Sequence, residues 1–166
     1  SSKFGANHKW GNFPSASASW NIHNEEFMAD TQHWLSNFKL RLGWGVTGII
    51  PGSSYASLVT YNYDTYNKYY NTETGQWEKA LSATQNPNPD IHWETSNEIN
   101  FGLDMGFFAD RLTFSLDVYN KTTNGLLYNY QVPLPPNLLN SILANVGVMN
   151  NKGIELFLTA IPVQTK

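Results

Sequence analysis

The chain contains no cysteine. Disulfides and thiolate metal centres are therefore excluded. Charge is scarce as well: Asp, Glu, Lys and Arg make up 14% of 166 residues, against ~25% in ordinary globular proteins. The net charge is -3 and no basic stripe is present, which removes nucleic acid from the partner classes. No apolar run approaches the ~20 residues that a membrane helix requires. The mean hydropathy of -0.39 leaves a membrane β-barrel open, because half of each barrel strand faces water. No helix of ordinary length and no internal repeat is visible. Ser1-Ser2 stands where an initiator Met would, no signal peptide follows, and a strand-like run ends five residues before Lys166, so both ends read as cut from something longer.

What the chain does have is aromatic residues (6 Trp, 9 Tyr, 9 Phe), with Asn and Thr filling much of the polar remainder. It also has period-two alternation, the pattern of a strand with one apolar and one wet face. The cleanest run is Ser96 to Phe107. Ile99, Phe101, Leu103, Met105 and Phe107 share one face, and Glu98, Asn100, Gly102, Asp104 and Gly106 the other. Four more stretches alternate in the same way: Ser15 to Ile22, Phe38 to Thr47, Arg111 to Tyr119 and Gly153 to Ala160. Asn24 to His33 breaks the pattern and suits a short helical turn with Asn24 as its N-cap. Tyr55 to Tyr63 alternates weakly and is a further strand candidate. Thr74-Gly75, the run Asn86-Pro87-Asn88-Pro89-Asp90 and Ala109-Asp110 read as turns. Pro133, Pro135 and Pro136 bar their segment from the middle of a sheet and predict a rigid loop.

The connections run short, long, short, long, with irregular stretches over 49–92 and 120–151. Antiparallel strands then place both long loops at one end of the sheet, the asymmetry of outer-membrane barrels. Five strands cannot close such a barrel, since the smallest bacterial ones use ~8. The expected fold is all-β: an antiparallel segment of a large transmembrane β-barrel, incomplete in this chain. The rivals are a soluble β-sandwich carbohydrate-binding module and a structural adhesin fragment. The sandwich requires a second sheet over Ile99–Phe107 and Leu112–Val118.

Three sets of phrases carry a family resemblance. The first is Phe13 to Trp20, Glu26-Phe27, Leu35 to Arg41 and Gly45 to Gly48. The second is Asn88 to Ser96, leading to Gly102-Leu103-Asp104. The third is Asp117 to Thr122, Gly125-Leu126-Leu127, Asn145-Val146-Gly147 and Asn151 to Glu155. In this order they resemble the C-terminal barrel half of the SusC/RagA family, TonB-dependent outer-membrane transporters of Bacteroidota. The resemblance covers nearly the whole chain and is weakest over Tyr55 to Gln85. It implies a barrel of roughly 22 strands around a plug, a SusD-like surface lipoprotein as lid, import of glycans or peptides, and energy from the TonB complex. It also implies residence in the cell outer membrane, in contact with lipid. The plug, the TonB box and the closing strand of such a protein are missing from these residues, so the resemblance implies a segment over 1–166.

The chemistry-bearing residues point the same way. His8, His23, His33 and His92 are scattered. His23 and His33 flank Glu25, Glu26 and Asp30 without the helical HExxH spacing of a metal site, and turn residues are the favoured reading. Asp104 and Asp117 lie on the polar faces of paired strands. A glycosidase would require two carboxylates ~5–9 Å apart in a cleft, and lumen-lining charge is favoured. Lys39 and Arg41 read as lumen lining before plug contact. No enzyme and no cofactor is expected. Tyr55, Tyr61, Tyr63, Tyr66, Tyr69, Tyr70 and Trp77 crowd one expected external loop, with Trp93 at its far end. Aromatic faces stack on sugars, form membrane girdles and enrich protein contacts. Tyr66, Tyr69, Tyr70, Trp77 and Trp93 are the candidate substrate or lid contacts, while Trp20 and Trp44 are expected at the lipid face.

Overall fold

A computed structural model describes residues 3–162 of the chain. Residues 1–2 and 163–166, which the sequence reading includes in the barrel segment, lie outside the described residues. The described residues form nine strands: β1 (Ser15–Asn21), β2 (Leu35–Ile49), β3 (Thr60–Asn71), β4 (Gln76–Gln85), β5 (Glu94–Phe107), β6 (Leu112–Asn124), β7 (Leu127–Gln131), β8 (Ser141–Asn145) and β9 (Val148–Ala160). They build one five-stranded sheet, ordered β1-β2-β5-β6-β9, and two separate hairpins, β3-β4 and β7-β8. The chain divides into two compact units. One is the five-stranded sheet with its short turns. The other holds both hairpins and the segments around them.

The sheet consists of the five strands expected from alternation. Its neighbours run antiparallel throughout. Ser15 pairs with Gly45 and Asn21 with Lys39 across β1 and β2. Side chains fix the remaining registers. Gly43 faces Asn100, Gly102 faces Arg41 and Gly106 faces Asn37. Ser115 meets Asp104, Lys121 meets Glu98, and Tyr119 lies across Gly153. The connections alternate in length. Residues 22–34 and 108–111 are short, whereas 50–93 and 125–147 are long and carry the hairpins.

The short turns are tied together. The Phe108 N–H donates to the Trp34 carbonyl at 2.8 Å, and the Asp110 N–H donates to Ser36 Oγ at 3.1 Å. Phe107 stacks on Trp34 with ring centroids 6.0 Å apart. Phe108, Ala109 and Asp110 all have positive φ, a costly conformation for side-chain-bearing residues, held here by those contacts. The helical turn expected at Asn24 is two 3-10 turns, Ile22–Asn24 and Glu26–Thr31. The second is capped at Glu25, not Asn24, and no side chain bonds the cap.

The hairpin unit departs further from expectation. Tyr55 is not in a strand: its φ is 58°, and β3 begins only at Thr60. A small core forms from Phe4, Ala56 and Ile91, with Trp93, Leu127 and Leu143 packed against it. The Asn-Pro-Asn-Pro-Asp run is more than a turn. Its prolines lack backbone donors, and asparagine side chains supply the bonds a strand would make. Asn86 donates to the carbonyls of Leu139 and Ser141 at 2.7 and 2.8 Å. It accepts from the N–H groups of Leu138 and Leu139 at 3.0 and 3.1 Å. Asn88 donates to the Leu143 carbonyl at 2.8 Å. Asn145 bonds both the N–H and the C=O of His92 at 2.9 Å. The run thus lies along β8 at two-residue steps, using side chains in place of main chain.

Asn86 is 2% exposed, so removing its amide leaves four backbone groups short of partners. Asn86→Ala is expected to destabilise the hairpin unit by roughly 3 kcal/mol. Asn86→Asp keeps only the acceptor half and falls between. Hydrogen exchange of residues 138–145 reads the loss, and wild-type protection in Asn86→Ala would contradict this account.

Candidate functional site

The sheet has two unlike faces. On one, Leu42, Phe101, Val118 and Ile154 form a row across four strands. Leu40, Leu103, Leu116 and Leu156 form the next, and Phe38, Met105, Phe114 and Leu158 the third. Among the described residues this face is uncovered: Ile99 is 50% exposed, Phe101 42% and Leu156 65%. A sandwich core would bury all three. From Ile99 to Phe107 the apolar run extends about 27 Å along the strand. A barrel tilt of 35–45° shortens that to roughly 20 Å, close to the ~25 Å band of membrane barrels.

Both rims of the band are marked. At the long-loop end, Trp44 Nε1 donates to Asn97 Oδ1 at 2.9 Å, and Asn150 donates to Asn120 and Thr122 at 3.0 and 2.7 Å. At the short-turn end, Trp20 Nε1 donates to Glu25 at 2.8 Å. A ring lying on apolar surface with its N–H bonded to a polar rim is the arrangement of an interfacial tryptophan.

The other face is polar. Arg41 Nε donates to Asp104 at 2.7 Å and Nη2 at 3.1 Å, and Nη2 also reaches Asp117 at 3.0 Å. Ser115 Oγ donates to Asp104 at 2.7 Å. Lys121 and Glu98 pair at 3.7 Å. Gly102 makes room for the network, since a Cβ there would fall 2.5 Å from the Arg41 guanidinium carbon. The two aspartates weighed as a glycosidase pair therefore share one cation. The same bonds hold the Arg41 guanidinium against its own sheet.

The β3-β4 hairpin carries most of the loop tyrosines. Tyr70 pairs with Trp77, Lys68 with Lys79, Tyr63 with Leu81 and Tyr61 with Ala83. These residues share one face. Tyr70 meets Trp77 edge-on, with centroids 5.5 Å apart. The opposite face is closed by its own hydrogen bonds. Tyr69 Oη, Asn71 Nδ2 and Thr74 Oγ1 all donate to Glu78, and Thr60 meets Thr84 at 2.8 Å.

Between Tyr63 and Lys68 the register slips, and Asp64 organises the bulge. It accepts from the N–H groups of Tyr66 and Asn67, from the Asn67 side chain and from Ser82. These bonds, the Tyr66 N–H foremost, hold the Asp64 carboxyl down at about 2. The bond between Tyr69 and Glu78 pushes the phenol up and is the main cause holding the carboxyl down.

The five candidate contacts are not one cluster. Tyr70 and Trp77 lie on the exposed face of the hairpin. Tyr69 bonds Glu78 on the other face. Tyr66 stands out of the bulge at 92% exposure. Trp93 packs on Phe4, with centroids 4.6 Å apart. Of the histidines, His33 Nδ1 faces the Asp30 carbonyl at 2.9 Å, and Glu25 is engaged by Trp20. Among the described residues no three His, Asp or Glu side chains gather as metal ligands. The Lys68–Lys79 pairing escaped the sequence reading, because it follows from a hairpin closed at Asn71 and Gln76, whose strands were not recognised as a pair.

Two consequences are testable. Arg41→Met leaves Asp104 and Asp117 adjacent without their cation and is expected to cost about 1–3 kcal/mol. Arg41→Lys recovers only part, lacking the two-pronged fork. Urea unfolding midpoints measure both, and an unchanged Arg41→Met midpoint would count against the network. Asp64 stabilises the bulge fully above its ordinary value near ~3.9, and this support is lost as pH falls through about 2. Protection of 60–71, corrected for intrinsic exchange, should therefore hold from pH 7 to about 4 and fall at neutral pH in Asp64→Ala.

A family model described as "TonB dependent receptor-like, beta-barrel" matches residues 1–161. The TonB-dependent receptor SusC of Bacteroides thetaiotaomicron is 35% identical over 167 residues, covering 100% of this chain and 16% of the relative. The TonB-dependent receptor P39 of Formosa agariphila is 35% identical over 166 residues, covering 100% and 15%. The chain thus spans about a sixth of the curated relatives it matches. Among solved structures, the RagAB peptide transporter superposes with TM-score 0.82 at 30% identity, over 99% of this chain and 17% of that one. The "open-open" state of the RagAB peptide importer gives TM-score 0.76 at 32% identity, with the same coverage. An uncovered apolar face of membrane height, a polar face opposite and these matches converge: the chain belongs to the TonB-dependent receptor β-barrel family of the outer membrane, and its five-stranded sheet is a stretch of such a barrel's wall.

Proposed function

We propose that this chain serves as wall and loop in a SusC-like importer of glycans or peptides. The polar face lines the lumen, and the connections over 49–92 and 120–151 are external loops. The complete importer draws energy from TonB and closes with a SusD-like lipoprotein lid. Tyr66, Tyr69, Tyr70, Trp77 and Trp93 are the candidate contacts to substrate or lid, and the segment carries no catalysis of its own. The observation that carries this reading is the two-faced sheet, apolar over about 20 Å on one side and charged on the other. The exposed Tyr70–Trp77 pair supports a recognition role for the hairpin, since exposed aromatic faces mark interaction surfaces.

The test is genetic. A strain whose only copy of the receptor carries Tyr70→Ala and Trp77→Ala is grown on a panel of polysaccharides and peptides supporting the parent strain. Growth on the receptor's substrate is expected to slow about tenfold while the amount of receptor in the outer membrane stays constant. Parental growth across the whole panel would refute the hairpin's part in uptake. A proton-motive-force uncoupler should stop wild-type uptake, and uptake that continues would refute TonB drive.

A further inference from the structure

We infer that the exposed face of the β3-β4 hairpin is a recognition site for acidic sugar chains, bearing carboxylates or sulfates. The inference rests on the reading of the hairpin as a substrate contact. It goes beyond that reading by naming the charge of the substrate.

The argument starts from Lys68 and Lys79. They face each other directly across the two strands. Like charges in that position weaken a hairpin. Neither lysine has an ion-pair or hydrogen-bond partner among the described residues, and both are exposed. The acids of the two strands lie elsewhere, and Glu73 belongs to the turn between Asn71 and Gln76. Asp64 closes the bulge with Tyr66, Asn67 and Ser82. Glu78 is taken by Tyr69, Asn71 and Thr74 on the opposite face. Among the residues of β3 and β4 the lysine face is thus left with two cations and no counter-charge. An anion lodged between them would remove the repulsion.

The neighbours of the pair set the rest of the ligand. On one side lie Tyr70 and Trp77, on the other Tyr63 and Leu81. Trp77 is 67% exposed and Tyr63 73%. Along β4 the residues of this face, Trp77, Lys79 and Leu81, succeed one another at about 7 Å, while on β3 the bulge lies between Tyr63 and Lys68. An aromatic row, a cationic row and a second aromatic-aliphatic row therefore follow one another at sugar-sized steps. Flat apolar ring faces suit the aromatic rows, and an acid group on the intervening sugar suits the lysines. A protein partner fits less well. Lysine is depleted from the centres of protein interfaces, and here it occupies the middle of the patch.

The experiment uses the complete receptor carrying this segment, purified in detergent. Binding of three oligosaccharide probes of matched length is measured by calorimetry: alginate for carboxylate, carrageenan for sulfate and maltooligosaccharide as a neutral control. The wild type is expected to bind at least one acidic probe about tenfold or more tightly than the neutral one, with the preference shrinking in 0.5 M salt. Lys68→Gln with Lys79→Gln should abolish the preference and leave neutral binding unchanged. Equal binding of all probes, binding of no acidic probe, or a preference that survives the double substitution overturns the inference. So does tighter binding of a poly-glutamate peptide than of either acidic sugar, which would make the site one for acidic protein. Tyr70→Ala with Trp77→Ala separates the two levels. If that variant weakens binding but the lysine variant does not, only the charge inference falls. If it changes nothing, the reading of the hairpin as a substrate contact falls with it.

Discussion

No described residue covers the apolar face of the five-stranded sheet, and the rest of the structure depends on that. A sheet in hydrocarbon must satisfy every backbone N–H and C=O within itself, and long antiparallel neighbours do so for β2, β5 and β6. Strands of 13 to 15 residues exceed the usual 5–6 of globular sheets because they cross a slab of set thickness. Rims are set by where the outward residues change chemistry, from Ile99 and Leu42 to Asn97, Asn120 and Thr122. Trp44 and Trp20 sit at the two rims with their N–H groups bonded to polar partners.

The polar face follows from the same alternation. With apolar residues turned to lipid, every charge of β2, β5 and β6 falls on the other side. There Arg41 pairs with both Asp104 and Asp117, and glycines provide the room: Gly102 for the guanidinium and Gly153 for the Tyr119 ring. Short turns at one end are locked by backbone bonds. The long connections carry the exposed Tyr and Trp residues of the β3-β4 hairpin.

Much of the wall was legible in the sequence. Leu, Ile and Phe opposite Gly, Asn and Asp give strong contrast at period two, so all five spanning strands were found, with ends displaced by up to about five residues. The hairpins were not. In β3, Tyr alternates with Asn, Asp and Thr, and tyrosine is amphipathic enough to blur the contrast. β7 and β8 span five residues each, too few to establish a period. The tertiary bonds of Asn86, Asn88 and Asn145 leave no local mark, so their run read as a plain turn. Trp93 sat at the end of a presumed loop, yet the N-terminal Phe4 comes to cover it. The Lys68–Lys79 pair follows from the turn that sets Asn71 opposite Gln76, and Tyr69-Tyr70 beside it gives no alternation that would mark the strand.

The central claim is that Ile99, Phe101, Leu103 and Met105 face lipid while Glu98, Asn100, Gly102 and Asp104 face water. The segment has no cysteine, so single cysteines can be placed at each position from 98 to 105 for spin labelling in the complete receptor, reconstituted in bilayers with any other cysteines removed. Collision rates with oxygen, which concentrates in lipid, should peak at 99, 101, 103 and 105. Rates with a water-soluble nickel chelate should peak at 98, 100, 102 and 104. Low rates for both reagents at the odd positions would mean a packed protein core and would contradict the account.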